Sequence, residues 1–140
     1  GPVEIGAVSI GNPHAVILRE PEPAELRRLG PLVEHHPRFP ERTNVQLVRV
    51  EGPHELSVGV WERGAGETLA SGTSSCAAAA AAIARGLCES PVTVRLAGGE
   101  LLVAIDAAWN ATLTGPAQEL CTGRVSDELL AELERVGPTR

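Results

Sequence analysis

Aromatic side chains are nearly missing from these 140 residues: one Phe, two Trp and no Tyr. Base-stacking platforms are therefore scarce, and no basic cluster compensates for them. With a net charge of −6 and a pI near 5.2, a nucleic-acid partner is disfavoured on electrostatic grounds. Cysteine is sparse and odd in number: Cys76, Cys88 and Cys121, without CxxC spacing. That argues against a disulfide framework or a zinc site. All three are expected as buried, reduced thiols. His14, His35, His36 and His54 show no metal-ligand spacing, so no metal is expected. No apolar run approaches the roughly 18 residues of a membrane helix. The alanine run after Cys76 is too short, and Arg85 follows it. No signal peptide opens the chain. The sequence reads as soluble and cytoplasmic, with no membrane partner.

Hydrophobic residues at 43% and charged residues at 21% are ordinary globular values. Residues 1–140 suffice for one domain with its own core. No solenoid-period repeat or low-complexity linker divides them. Gly1-Pro2 reads as a protease scar, and a strand-like run follows almost at once, as if something upstream were cut away.

Val8 to Leu18 holds two β-rich runs split by the turn Gly11-Asn12-Pro13-His14. Glu22 to Glu34 has a proline near its first turn and apolar residues at Leu26, Leu29, Leu32 and Val33, the spacing of a helix. Asn44 to Val50 and Glu55 to Trp61 are strand candidates joined by Glu51-Gly52-Pro53-His54. In the second, Leu56, Val58 and Val60 alternate with Ser57, Gly59 and Trp61. Val92 to Leu96, Leu101 to Ile105 and Trp109 to Thr114 repeat that alternation. One long helix, from about Thr73 to Leu87, interrupts the strands and spans roughly 22 Å. Its small apolar surface suits burial on most sides, and Gly86 is its expected terminator. A last helix follows Ser126 as cap, with Asp127 and Glu128 in its first turn. The expected fold class is α+β: a curved, barrel-like, mostly antiparallel sheet around a central helix.

The chemistry is expected between Trp61 and Cys76. A strand ends in Glu62-Arg63, and a loop with Gly64, Gly66 and Gly72 leads into the long helix. Glycines admit close backbone approach, and a helix N-terminus offers unpaired N–H groups and partial positive charge. Together they suit a carboxylate. A glycine-rich turn that binds nothing is the alternative.

Taken with the rest of the chain, this stretch resembles the diaminopimelate epimerase family. Gly11-Asn12-Pro13-His14-Ala15-Val16 is similar to its GNPHxV box. Leu29-Gly30-Pro31, Phe39-Pro40 and Thr43-Asn44-Val45 resemble its next signatures. Trp61-Glu62-Arg63-Gly64-Ala65-Gly66-Glu67-Thr68 is close to its most specific block. Leu96-Ala97-Gly98-Gly99 and Thr114-Gly115-Pro116-Ala117 resemble its late strands. The likeness runs in order along nearly the whole chain, to the second of the family's two pseudo-symmetric domains.

That resemblance implies a cofactor-free, pyridoxal-phosphate-independent isomerase. It acts on a small amino-acid substrate held between two domains, one of them the N-terminal domain this chain lacks. Two cysteines, one per domain, move a proton off one face of the α-carbon and onto the other. Here the family's ACGTG reads Ala70-Ser71-Gly72-Thr73-Ser74, so Ser71 stands where the second thiol is expected. A serine hydroxyl is far too weak an acid for that exchange near pH 7. Cys76 lies within the helix and is expected to point into packing.

The resemblance carries further roles with it. Gly72 and Thr73 would donate backbone N–H groups to the reacting carboxylate. Asn12, Asn44 and Arg63 would hold the distal amino-acid end. Glu62 would face the substrate ammonium, and His14 would be a cleft histidine assisting the first-domain thiol. Structural roles stand beside these: a turn at Asn12 and His14, a surface ion pair for Glu62 and Arg63, a strand end at Asn44. Three readings of Ser71 stay open: a deliberate replacement, a divergent relative (another racemase or a hydroxyproline-dehydratase-like enzyme), or a binding-only remnant. A homodimer is also expected, either of the full-length enzyme or of the isolated half through its uncovered face.

Overall fold

The computed structural model describes residues 2–137, so Gly1 of the expected scar lies outside the described residues. Strand β1 (Gly6–Ser9) turns back into β2 (Pro13–Leu18), which leads through helix α1 (Pro23–Glu34) to β3 (Asn44–Gly52). Strands β4 (Glu55–Glu62) and β5 (Gly66–Thr68) follow, then helix α2 (Gly72–Ala84). Strands β6 (Val92–Leu96), β7 (Gly99–Ile105) and β8 (Ala111–Thr114) precede helix α3 (Asp127–Val136). The strands form one sheet in the order β1-β2-β3-β4-β6-β7-β8, with β5 paired to the end of β4. Pairing is antiparallel except at β2–β3 and β4–β6. The expected α+β class and mostly antiparallel sheet are therefore present.

Two layers cover the sheet, and strand alternation decides which residues each layer receives. Val16, Val48, Val58, Val60, Val94 and Val103 pack against Ala77, Ala78, Ala79, Ala81 and Ala82 of α2. On the opposite face, Ala15, Ile17, Val45 and Leu47 pack against Leu26, Leu29 and Val33 of α1. α2 touches each of β1–β4 and β6–β8, so the sheet curls around it. A helix can be enclosed this closely only if its side chains are small, which is what the alanine run provides.

α2 ends at Ala84, earlier than the expected Leu87. Gly86 stops it with φ +68°, while Gly86 N–H donates to Ile83 O at 2.9 Å and Leu87 N–H to Ala82 O at 3.0 Å. This is the paired closure that a left-handed glycine after a helix allows.

Gly30 has a different purpose. A Cβ there would lie 2.4 Å from Trp61 Cδ2, so only glycine lets the indole lie on α1. Trp61 Nε1 then donates to Glu34 Oε2 at 2.7 Å.

Three other expectations change. The glycine loop after β4 contains β5, whose Glu67 pairs with Trp61. β8 starts at Ala111, not Trp109, because Trp109 sits in a turn with φ +65°. Asp106 Oδ1 holds that turn by accepting N–H from Ala108 and Asn110, each at 2.9 Å. Cys76 and Cys88 are buried free thiols, but Cys121 is exposed. It lies in a segment, residues 115–126, that is exposed throughout. Among the described residues, no helix is long and apolar enough to cross a membrane, and no group of His, Cys, Asp and Glu could hold a metal ion.

Candidate active site at the start of the central helix

Strand register brings distant residues to one edge. β2 and β3 run parallel with His14 opposite Asn44, and β3 and β4 run antiparallel with Val45 opposite Trp61. The starts of β2 and β3 and the end of β4 therefore share one edge. α2 begins against it, because Ser74 Oγ in its first turn accepts from Gln46 Nε2 of β3 at 3.0 Å.

Asn44 is buried and clamps the edge. Its Nδ2 donates to Pro13 O at 3.0 Å, and its Oδ1 accepts the Arg63 backbone N–H at 2.9 Å. Joining a strand end is thus a role Asn44 has, and it sets the path of Glu62 and Arg63. The Arg63 side chain is exposed, with Nη1 donating to Glu41 O at 3.0 Å. Glu62 Oε1 accepts from Thr68 Oγ1 of β5 at 2.8 Å. No Glu62–Arg63 ion pair forms among the described residues; each side chain has its own partner instead.

His14 is more buried than a cleft residue is expected to be, at 1% exposed. Its Nε2 lies 2.9 Å from Asn12 Oδ1 and its Nδ1 lies 3.1 Å from Gln46 Nε2. Burial lowers its pKa to about 4; the hydrogen bond with Gln46 and the Glu62 charge act against that, and the Arg63 charge adds to it. The ring is neutral at pH 7 and lies beneath Asn12.

Ser71 is the N-cap of α2, and its Oγ accepts the Ser74 N–H at 3.4 Å. Ser75 Oγ donates to Ser71 O at 2.8 Å. Gly72 and Thr73 occupy the first two helical positions, whose N–H groups have no intrahelical acceptor. Thr73 is exposed and Gly72 is half-buried, close to the Leu113 side chain of β8. Cys76 points into the core, and burial raises its thiol pKa.

Asn12, His14, Asn44, Glu62 and Arg63 therefore lie on adjoining strand ends, and the Gln46–Ser74 bond ties the first turn of α2, with Ser71, Gly72 and Thr73, to the same strands. Two sizeable grooves lie elsewhere. One of about 280 Å³ is lined by Pro21, Leu26 and Val58, and one of about 960 Å³ by Val3, Val33 and Phe39.

Two residues escaped the sequence reading. Gln46 is wholly buried between His14 and Ser74. Glu34 is a buried carboxylate that also accepts the Gly64 N–H at 2.9 Å. A polar residue at an inward strand position is the one signal that could have flagged Gln46.

Residues 6–120 match the diaminopimelate epimerase family. A diaminopimelate epimerase of Pseudomonas entomophila is 48% identical over 124 residues, covering 87% of this chain and 45% of the relative. One of Azotobacter vinelandii is 49% identical over 129 residues, covering 88% and 45%. The chain thus spans about half the length of the curated relatives it matches. Among solved structures, a Bacillus anthracis phenazine biosynthesis protein of the PhzF family has a similar fold, with a TM-score of 0.57 at 16% identity. It covers 79% of this chain, which in turn covers 38% of that protein. On the family match and these identities, with the GNPHxV and Glu62-Arg63 segments at one end of neighbouring strands, the chain belongs to the diaminopimelate epimerase family.

Proposed function

We propose that this chain is the C-terminal half of a pyridoxal-phosphate-independent diaminopimelate epimerase and is inactive by itself. The complete enzyme would interconvert LL- and meso-diaminopimelate on the route to lysine and peptidoglycan precursors. Its other half would contribute the thiol for the opposite face of the α-carbon. The observation that carries this reading is the pair of N–H groups at Gly72 and Thr73, beside Ser71, that open the central helix without an intrahelical acceptor. A substrate carboxylate docked there would take up charge as the α-proton leaves, stabilised by donors already aimed at it. Arg63 would meet the distal carboxylate and Glu62 the ammonium, with Asn12 and Asn44 shaping the pocket wall.

Ser71 leaves one face of the α-carbon without a thiol. Cys76 is no substitute, because it is buried and burial disfavours its thiolate. A second reading has its own observation. Ser74 and Ser75 are both buried and both hydrogen-bonded, as in a sequence settled around serine at position 71. That favours natural divergence toward chemistry needing one thiol, such as dehydration of a hydroxyproline.

Weak binding by half a cleft is measurable by amide chemical-shift mapping. Titrating the labelled chain with diaminopimelate should move the Gly72, Thr73 and Arg63 amides together. Shifts confined to other surfaces would contradict the reading, and a response to hydroxyproline alone would favour the divergent one.

A further inference from the structure

Gln46 has no role in the reading above, yet it is 0% exposed in the middle of the site. Its Nε2 lies 3.1 Å from His14 Nδ1 and 3.0 Å from Ser74 Oγ, while its Oε1 has no partner. A side-chain amide has two donor hydrogens and one acceptor oxygen. In this orientation both hydrogens find acceptors and one carbonyl oxygen is left over. Turned over, the amide would need both Ser74 and His14 to donate. Its NH2 would then point where no hydrogen-bonding neighbour meets the present oxygen. Buried carbonyls tolerate lost partners better than buried N–H groups do.

We infer that Gln46 is a positioning residue that fixes His14 in one tautomer, with Nδ1 accepting and the ring proton on Nε2. His14 Nε2–H then donates to Asn12 Oδ1. The ring is an N–H donor behind Asn12 and not a proton acceptor for a thiol. It orients the asparagine amide that would meet substrate. Because Gln46 also holds Ser74, the orientation of the ring is tied to the first turn of α2, where Ser71, Gly72 and Thr73 lie. This inference deepens the proposed epimerase reading and rests on it for its functional meaning.

The test is nuclear magnetic resonance of the 140-residue chain with 15N-labelled histidine and glutamine at pH 7. The His14 ring is assigned from the signals lost in His14→Gln. The expected result is an unprotonated Nδ1, a protonated Nε2, and a scalar coupling across the Gln46 N–H···Nδ1 bond. In Gln46→Glu, a carboxylate faces Nδ1, so the Nδ1 resonance should move to its protonated position. A protonated Nδ1 in the unaltered chain would overturn the inference. So would a Gln46→Glu variant that folds, by circular dichroism, and leaves Nδ1 unprotonated. If that variant does not fold, the coupling in the unaltered chain decides, and its absence overturns the proposal. No substrate enters the experiment, so its failure and the failure of the epimerase reading are separate events.

Discussion

Ser71 Oγ accepts the Ser74 backbone N–H at 3.4 Å, so the hydroxyl at the family's second-thiol position is the N-cap of the central helix. In the proposed reading, the same point in space would serve both the fold and the chemistry.

Exchanging that hydroxyl for a thiol should separate the two roles. Sulfur is a poorer hydrogen-bond acceptor, so Ser71→Cys should lose about 0.5–1 kcal/mol of stability with its cap. The new thiol, at a helix N-terminus, should titrate below the reference value of about 8.5. Denaturant melts and thiolate absorbance against pH measure both. A thiol titrating above the reference would mean that the helix end does not stabilise anions.

Glu34 should make the fold acid-sensitive. Burial alone would raise its carboxyl pKa, but hydrogen bonds from Trp61 and Gly64, with the charges of His35 and Arg42, outweigh that and hold it below the usual value. A carboxyl depressed in the folded state stabilises above its unfolded pKa, and that stability is lost as pH falls through the folded value. Glu34→Gln should cost about 1–3 kcal/mol at pH 7 and flatten the dependence below the unfolded pKa. Urea midpoints across that range test it, and equal slopes in both proteins would remove Glu34 as the cause.

Gly30→Ala should be among the costly small changes. The new Cβ meets the Trp61 ring carbons within 2.4–2.8 Å. Moving the indole would break its bond to Glu34. A loss of about 1–3 kcal/mol is expected, read as a lower melting temperature, and an unchanged Tm would show that the indole is free to shift.

Asn44 and Arg63 should behave differently. Asn44→Ala removes two clamps inside a buried edge and should cost about 1–3 kcal/mol. Arg63→Ala removes an exposed side chain and should change stability by less than about 0.5 kcal/mol. In a two-domain enzyme with a thiol at position 71, the Arg63 variant should instead lose affinity for a substrate-like inhibitor. Lost folding with unchanged affinity would reverse that assignment.

Much of this arrangement is legible in the chain because local chemistry and global position agree. The alanine run and Gly86 mark α2, and the inward Leu56, Val58 and Val60 mark the face of β4 that meets it. Where the reading failed, a non-local or side-chain contact decided. β5 is three residues long and has no period to read. Trp109 resembles a strand start, but the Asp106 carboxylate captures it in a turn. Gln46 resembles any polar strand residue until the fold brings together His14, 32 positions away in sequence, and Ser74, 28 away. Cys121 follows the core strands yet lies in an exposed segment, so a thiol's general preference for burial misled.

The most direct measurement joins this chain to the first half of a curated relative and follows diaminopimelate in deuterated water, with Ser71 kept or replaced as Ser71→Cys. With Ser71, deuterium incorporation at the α-carbon and LL-to-meso conversion should be slower by about 10²–10⁴-fold, the span of a lost acid–base group. Ser71→Cys should restore both. Equal conversion by the two proteins would contradict the claim that residue 71 handles the proton at the start of the central helix.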